Sequence, residues 1–314
     1  MSKIAITDFI SVPDIEKEIL GDLISTEVKE QTEVLLVWHE KINADYIKHL
    51  PKLKAVQRYG VGYDTLDLQA IKSKGIIACN NPDYGIDEVS DSTIAMITNI
   101  ARGMTIYNNS GKKYFSSWQE NFNPLIRRNS KTTVAVIGAG RIGGSVVLRC
   151  NALKFNVKFY DKYKERGYEK LLAAQRVDSL EEALEDSDII SLHVPLNDET
   201  KGMIDQSFIN KMKPGSSLVN TARGGLFHDL EIIYDAMRAG KIYQFATDVL
   251  PQEPPGSDKL IDAWRRSEDW VNGRLIINPH TAYYSAESII EMRVKAAQNA
   301  LRLYRDEPPH NQII

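Results

Sequence analysis

Thr132-Thr133-Val134-Ala135-Val136-Ile137 is a short, β-branched, apolar run that passes straight into Gly138-Ala139-Gly140-Arg141-Ile142-Gly143. A strand entering G-x-G-x-x-G is the start of a βαβ unit when a helix and a second strand follow. Here Ser145–Leu153 reads as that helix, and Val157–Tyr160 reads as the second strand, ending at Asp161. Each residue type has a physical task. Gly138 permits the tight turn, Gly140 lets backbone approach a pyrophosphate, and Gly143 lets helix and strand pack closely. The unpaired N–H groups at the helix start then face the anion. Asp161 stands where an acid accepts hydrogen bonds from the adenosine ribose hydroxyls, and its charge repels a 2′-phosphate. The unit therefore predicts NAD(H) rather than NADP(H).

Toward the N-terminus, Lys3–Asp8, Glu33–Trp38, Leu53–Arg58 and Ile76–Asn80 read as strands, with Ile15–Leu23, Ala44–Leu50 and Leu66–Ser73 as helices between them. Several of these helices open on Asp, Asn or Thr as caps. The alternation predicts a parallel sheet covered by helices. Its most loop-like strand end is Arg58-Tyr59-Gly60-Val61-Gly62-Tyr63-Asp64. The residues leave two readings open there: an ordinary turn with a solvated Arg58, or backbone that comes close to a small acidic ligand. Glu88 to about Asn109 carries apolar residues at helical spacing and predicts one long helix. The polar stretch Ser110–Ser130 after it marks a domain boundary.

Toward the C-terminus, strands are expected at Ile189–His193, Ser217–Asn220, Phe245–Asp248 and Leu275–Ile277. Helices are expected at Ser179–Leu184, Ser207–Met212, Leu230–Ala239 and Ser285–Tyr304, the last long enough to cross back to the first domain. The expected fold is α/β, with a second parallel sheet, doubly wound, in this part of the chain.

With 43% hydrophobic and 26% charged residues the chain has the composition of a soluble globular protein. A net charge of −3 gives no electrostatic footprint for nucleic acid or an anionic membrane. Cys79 and Cys150 lie in or beside apolar segments far apart, which suits buried free thiols. No signal-peptide layout and no apolar run of membrane-spanning length is present, so a reducing cytoplasm is the simplest compartment.

Ligands of doubly wound sheets bind at the carboxyl ends of the strands. Those ends read His193-Val194-Pro195, Asn220-Thr221-Ala222-Arg223-Gly224-Gly225, Asp248 with Glu253, and Asn278-Pro279-His280. An arginine, a carboxylate and a histidine thus reach the cofactor's edge together, the set needed to reduce a 2-oxo acid or oxidise a 2-hydroxy acid. Arg223 offers a planar fork that holds a carboxylate and polarises the adjacent carbonyl. His280 can give or take the proton on the reacting oxygen. Glu253 can orient the imidazole and favour its charged form. Taken singly each has a plainer reading, as surface arginine, solvated glutamate and turn histidine. His39, His49, His228 and His310 show no ligand spacing, and no metal is assigned.

These motifs together resemble the D-isomer-specific 2-hydroxyacid dehydrogenases, nearly end to end: Arg58–Asp64, Gly138–Gly143 with Asp161, His193-Val194-Pro195-Leu196, Asn220–Gly225, Asp248 through Glu253-Pro254, and Pro279-His280. The resemblance implies a homodimer in which a doubly wound parallel Rossmann sheet, residues 101–284, is inserted into a second, flavodoxin-like α/β domain formed by residues 1–100 with 285–314. It implies catalytic Arg223, Glu253 and His280, and a small 2-oxo or 2-hydroxy acid as substrate. It implies NAD held by Gly138, Gly140, Arg141, Ile142, Gly143 and Asp161, by His193, Val194, Pro195 and Thr200, and by Thr221, Ala222 and Asp248. It also implies a substrate site at Arg58, Val61, Gly62 and Tyr283. Within the family the chain is similar to the C-terminal-binding-protein branch, through Phe155-Asn156-Val157, Phe159-Tyr160-Asp161 and Tyr283-Tyr284-Ser285. It departs in Tyr283, where animal members have tryptophan, and in a long stretch between Glu253 and His280 that carries Trp264 and Trp270.

That branch supplies a second reading, an NADH-regulated interaction protein with little turnover. The intact Arg223, Glu253 and His280 set favours the enzyme. Glu253 also argues against formate oxidation, for which family members typically carry glutamine there. Tyr59, Tyr63, Tyr84 and Tyr283 suit a bulky apolar substrate side chain, whereas Arg58 suits a phosphate or second carboxylate.

Overall fold

The computed structural model describes residues 2–115, 118 and 122–314; the other positions of the expected Ser110–Ser130 connection lie outside the described residues. The chain forms two compact units, Met1–Gly85 with Tyr284–Ile314, and Ile86–Tyr283.

The first unit holds a five-stranded parallel sheet of β1 (Ile4–Ile6), β2 (Ile24–Ser25), β3 (Val34–Val37), β4 (Ala55–Arg58) and β5 (Ile77–Cys79), in the order β2-β1-β3-β4-β5. Its central strands are buried on both faces, which is why they read as unbroken apolar runs. The C-terminal helix Ala286–Tyr304 packs on β3 and β4 and on the helix Asp14–Leu20. Ser285 and Ser288 form a reciprocal capping box at its start. Where the two helices meet, Arg293 donates from Nε and Nη2 to the fully buried carboxylate of Glu16, at 2.9 and 2.6 Å. Tyr59 donates its hydroxyl to the same carboxylate at 3.0 Å. An ionised group so buried is tolerable because it is paired and hydrogen-bonded.

The second unit holds seven parallel strands: β6 (Thr133–Ile137), β7 (Asn156–Tyr160), β8 (Gln175–Arg176), β9 (Ile189–Leu192), β10 (Ser216–Asn220), β11 (Ile242–Thr247) and β12 (Leu275–Ile277). The order β12-β11-β10-β9-β6-β7-β8 reverses direction between β9 and β6, so a topological switch point opens at the carboxyl ends of these two strands.

Two expectations need correction. The predicted single helix of Glu88–Asn109 is two, Ile86–Arg102 and Met104–Gly111, broken at Gly103, whose φ of 61° is left-handed and where a Cβ would come within 2.8 Å of Ile126. The expected outer-domain boundary at residue 100 moves to Gly85. Met96, Ile97, Ile100 and Ala101 of that first helix pack with Val134, Val136, Val146 and Phe159 in the core of the second unit. The long stretch between Glu253 and His280 contains the helix Lys259–Arg265, capped by Asp258, and its Trp264 and Trp270 pack against the second unit's core. Among the described residues no helix is long and apolar enough to cross a membrane.

Candidate active site

At the end of β6 the backbone turns through Gly138, whose φ is 90°; a Cβ there would lie 2.8 Å from the carbonyl of His193. A Cβ on Gly143 would fall on the Gly138 carbonyl oxygen, 1.9 Å away, whereas one on Gly140 would meet nothing within 4 Å. Two glycines are thus demanded by close packing, and the third faces open space at the start of the helix Arg141–Ala152. The first N–H groups of that twelve-residue helix have no intrahelical acceptor. Asp161, just past β7, accepts from the Ala139 N–H at 2.8 Å and the Tyr163 N–H at 2.9 Å, one on each oxygen. Its carboxylate is oriented by backbone and keeps lone pairs on both oxygens.

On the other side of the switch point, His193 follows β9. Its Nε2 bonds Ser191 Oγ at 2.8 Å, its Nδ1 is enclosed without a partner among the described residues, and burial pushes its pKa down to about 3. The ring is neutral at physiological pH, and its Cβ packs near Gly143. The following turn is tied by the Thr200 hydroxyl donating to the Pro195 carbonyl at 2.5 Å.

After β10, Asn220 brackets its own turn. Its Oδ1 accepts from Ala222 N–H and its Nδ2 donates to the Arg223 carbonyl, both at 3.0 Å. Thr221 is buried, with its hydroxyl 2.8 Å from that of Thr93. Arg223 is extended in backbone, and its Nη1 donates to the Ala222 carbonyl at 2.8 Å. Gly224 admits no side chain, because a Cβ would strike the Leu250 carbonyl.

Glu253 and His280 meet. His280 Nδ1 lies 2.7 Å from Glu253 Oε2, and Glu253 Oε1 accepts from the Leu250 N–H at 2.7 Å. Burial works against the ionised Glu253. The His280 hydrogen bond and charge, the Leu250 N–H and the charge of Arg223 outweigh it and hold this carboxyl below its usual value. His280 has φ 57°, and its turn is gripped by Asp248. That buried side chain accepts from Thr281 N–H and Ala282 N–H at 2.9 Å each, while its carbonyl accepts from His280 N–H. Burial pushes the Asp248 carboxyl up against the pull of those two amides. The Tyr283 ring stands edge-on to His280, centroids 6.2 Å apart.

Residues 94–282 match the family model described as the NAD-binding domain of the D-isomer-specific 2-hydroxyacid dehydrogenases. The chain belongs to that family. This dehydrogenase is 30% identical to a glyoxylate reductase of Korarchaeum cryptofilum, over 93% of its own length and 85% of the relative's. It is likewise 30% identical to a D-3-phosphoglycerate dehydrogenase of Archaeoglobus fulgidus, over 91% of its length, and spans about half, 52%, of that longer protein. Among solved structures it resembles a D-lactate dehydrogenase of Aquifex aeolicus complexed with NAD and lactic acid, at 30% identity and TM-score 0.84, covering 97% of this chain and 96% of that one. The second unit of this dehydrogenase fits a dinucleotide on its own geometry: a glycine turn that admits no Cβ, an open helix start and a carboxylate aimed by backbone amides. Among its described residues no group of three His, Cys, Asp or Glu side chains is placed to hold a metal.

In the first unit of this dehydrogenase, Arg58 donates from Nη1 to the Val37 carbonyl at 3.3 Å, with its guanidinium beside Gly60. Tyr59 and Tyr84 are buried, and Tyr59 is committed to Glu16, so neither is an exposed aromatic wall. The sequence reading passed over Asn80 and Asn81, which bind the Arg58–Gly62 loop. Their position at the end of β5, on the same sheet edge, was the available signal.

Proposed function

We propose that the chain interconverts a small 2-oxo acid and its D-2-hydroxy acid, with Arg223, Glu253 and His280 as the catalytic residues. The observation that carries the assignment is the 2.7 Å contact between His280 Nδ1 and a glutamate whose other oxygen is anchored by backbone. Bound NADH supplies the hydride. With Nδ1 committed to Glu253, the Nε2 of His280 presents the proton to the carbonyl oxygen, and the ionised glutamate stabilises the imidazolium from behind. The Arg223 fork binds the substrate carboxylate and polarises the carbonyl beside it. Gly138 to Gly143, His193 to Pro195, Thr200, Thr221, Ala222 and Asp248 hold the cofactor, with Asp161 on the adenosine ribose. Val61 and Gly62 offer backbone N–H groups to the carboxylate, and Arg58 and Tyr283 meet the rest of the substrate.

The test is loss of NADH absorbance against glyoxylate, hydroxypyruvate, phosphohydroxypyruvate, pyruvate, phenylpyruvate and 4-methylthio-2-oxobutyrate. Turnover of at least one supports the assignment; silence across the panel with NADH bound sinks it.

Glu253→Gln keeps the shape and removes the charge. Because the carboxyl of Glu253 is held below its usual value, it is ionised throughout the neutral range and loses this role only as pH falls through its own lowered pKa. Without its anion the imidazolium is harder to form, so the high-pH limb of the reduction profile is expected to move to lower pH. An unmoved limb would remove Glu253 from the mechanism.

The proposed assembly is a homodimer. Met104, Phe115 and Phe122 of the second unit are exposed, at 63, 96 and 83%, and supply apolar side chains that a second copy could cover. Sedimentation equilibrium is expected to return twice the chain mass, and a monomer at micromolar concentration would exclude it. Both thiols are buried and free, burial pushing Cys79 up to about 11 and Cys150 up to about 12, which suits a reducing cytoplasm.

A further inference from the structure

The backbone carbonyls of Arg58, Tyr59, Gly60 and Val61 are each held from behind. Gln57 Nε2 donates to the Arg58 carbonyl at 2.7 Å, and Asn81 Nδ2 to the Tyr59 carbonyl at 3.0 Å. The Asn81 N–H takes the Gly60 carbonyl at 3.3 Å, and Asn80 Nδ2 the Val61 carbonyl at 2.6 Å. A peptide group is planar and trans, so the C=O of one residue and the N–H of the next point in opposite directions. Fixing the Tyr59 carbonyl aims the Gly60 N–H. In the same way the Gly60 carbonyl aims the Val61 N–H, and the Val61 carbonyl aims the Gly62 N–H. None of these three N–H groups has an acceptor among the described residues.

Behind the loop, a chain of buried amides fixes the tethers themselves. Asn81 Oδ1 accepts from Gln57 Nε2 at 3.2 Å, and Asn81 Nδ2 also reaches the Met292 carbonyl in the C-terminal helix at 3.0 Å. Gln57 Oε1 accepts from Asn299 Nδ2 at 2.6 Å. Asn299 in turn exchanges hydrogen bonds with the backbone of His310, at 2.9 and 2.7 Å. Gln57, Asn81 and Asn299 are all buried. Burying three amides costs free energy unless each is satisfied, and a satisfied network holds its members in one arrangement.

We propose that Asn80 and Asn81 are positioning residues, orienting the Gly60, Val61 and Gly62 N–H groups as a three-donor cradle for the carboxylate of the 2-oxo acid, with Gln57 and Asn299 fixing Asn81. This rests on the dehydrogenase assignment above. The cradle holds substrate through donors aimed before it arrives, so loosening the aim weakens binding of the acid and leaves the proton-transfer groups and the cofactor site of the second unit untouched.

The experiment uses the full chain with NADH and whichever 2-oxo acid of the panel the wild type turns over best. Asn80→Leu and Asn81→Leu keep volume and remove the donors. Each is expected to raise KM for the acid about tenfold, as the loss of one hydrogen bond to a charged group's cradle implies. The expected kcat at saturation and NADH dissociation constant, the latter read from NADH fluorescence, stay within about twofold. Asn81→Ser, which keeps one donor, is expected to fall between and also serves if a leucine variant does not fold. A lowered melting temperature with unchanged KM would mean a purely structural network and overturn the proposal, as would a fall in kcat at unchanged KM. Absence of turnover by the wild type with every acid would overturn the dehydrogenase assignment and this proposal together, whereas wild-type turnover with indifferent variants overturns this proposal alone.

Discussion

Arg223→Ala is expected to lower kcat/KM by about a thousandfold or more, of the size seen when a donor to developing oxygen charge is removed from an enclosed site. The side chain leaves a turn bracketed on both sides by Asn220 and followed by Gly224, where no Cβ fits, so its origin is rigid. A rigid origin lets a planar fork meet carboxylate and carbonyl in fixed geometry. Arg223→Lys is expected to recover little, because an ammonium keeps the charge and loses the fork. The loss should fall on both KM and kcat, since the same group binds and polarises. NADH affinity should change by less than about threefold, because the fork's proposed partner is the substrate. Wild-type activity of Arg223→Ala on every substrate the enzyme accepts would remove Arg223 from this role.

His280→Ala is expected to lower kcat by two to four orders of magnitude, roughly what a positioned acid or base contributes. NADH titration by fluorescence should give nearly the wild-type dissociation constant. The backbone of this turn is secured independently of the imidazole, by the Asp248 carboxylate on Thr281 and Ala282 and by the Asp248 carbonyl on His280 N–H. At φ 57° an alanine carries some strain, so His280→Asn, which tolerates that conformation, separates lost chemistry from a disturbed turn. Both variants should be equally slow if the imidazole supplies the proton. A kcat for His280→Asn within tenfold of wild type would assign the proton to another group.

The βαβ unit, the resident glycines and Asp161 were legible in the sequence because every signal lies within a few residues of its neighbour. The alternation of strand and turn likewise placed Arg223, Glu253 and His280 at strand ends, and the contact of His280 with Glu253 agrees with the chemistry read from their types. Other features depended on distant partners. β2 and β8 are two residues each, too short for any periodicity, and exist because β1 and β7 offer them an edge. An isolated Gly103 is no certain stop within a helical pattern; there the chain adopts a left-handed φ of 61° that favours glycine. Tyr59 reads as a candidate ligand-facing aromatic, yet Glu16 and Arg293, distant in the chain, draw it inward.

By itself the order of amino acids determined the fold class and the dinucleotide motif, and it singled out Arg223, Glu253 and His280 as the proposed fork, acid partner and proton carrier, because strand pattern, turn chemistry and side-chain type are local properties. Only the tertiary structure decided which unit owns the helix Ile86–Arg102, why Glu253 stays ionised, and how Gln57, Asn80, Asn81 and Asn299 aim one loop. Those outcomes rest on hydrogen bonds and burial between residues far apart in the chain, and such pairings are set by the packing of whole elements.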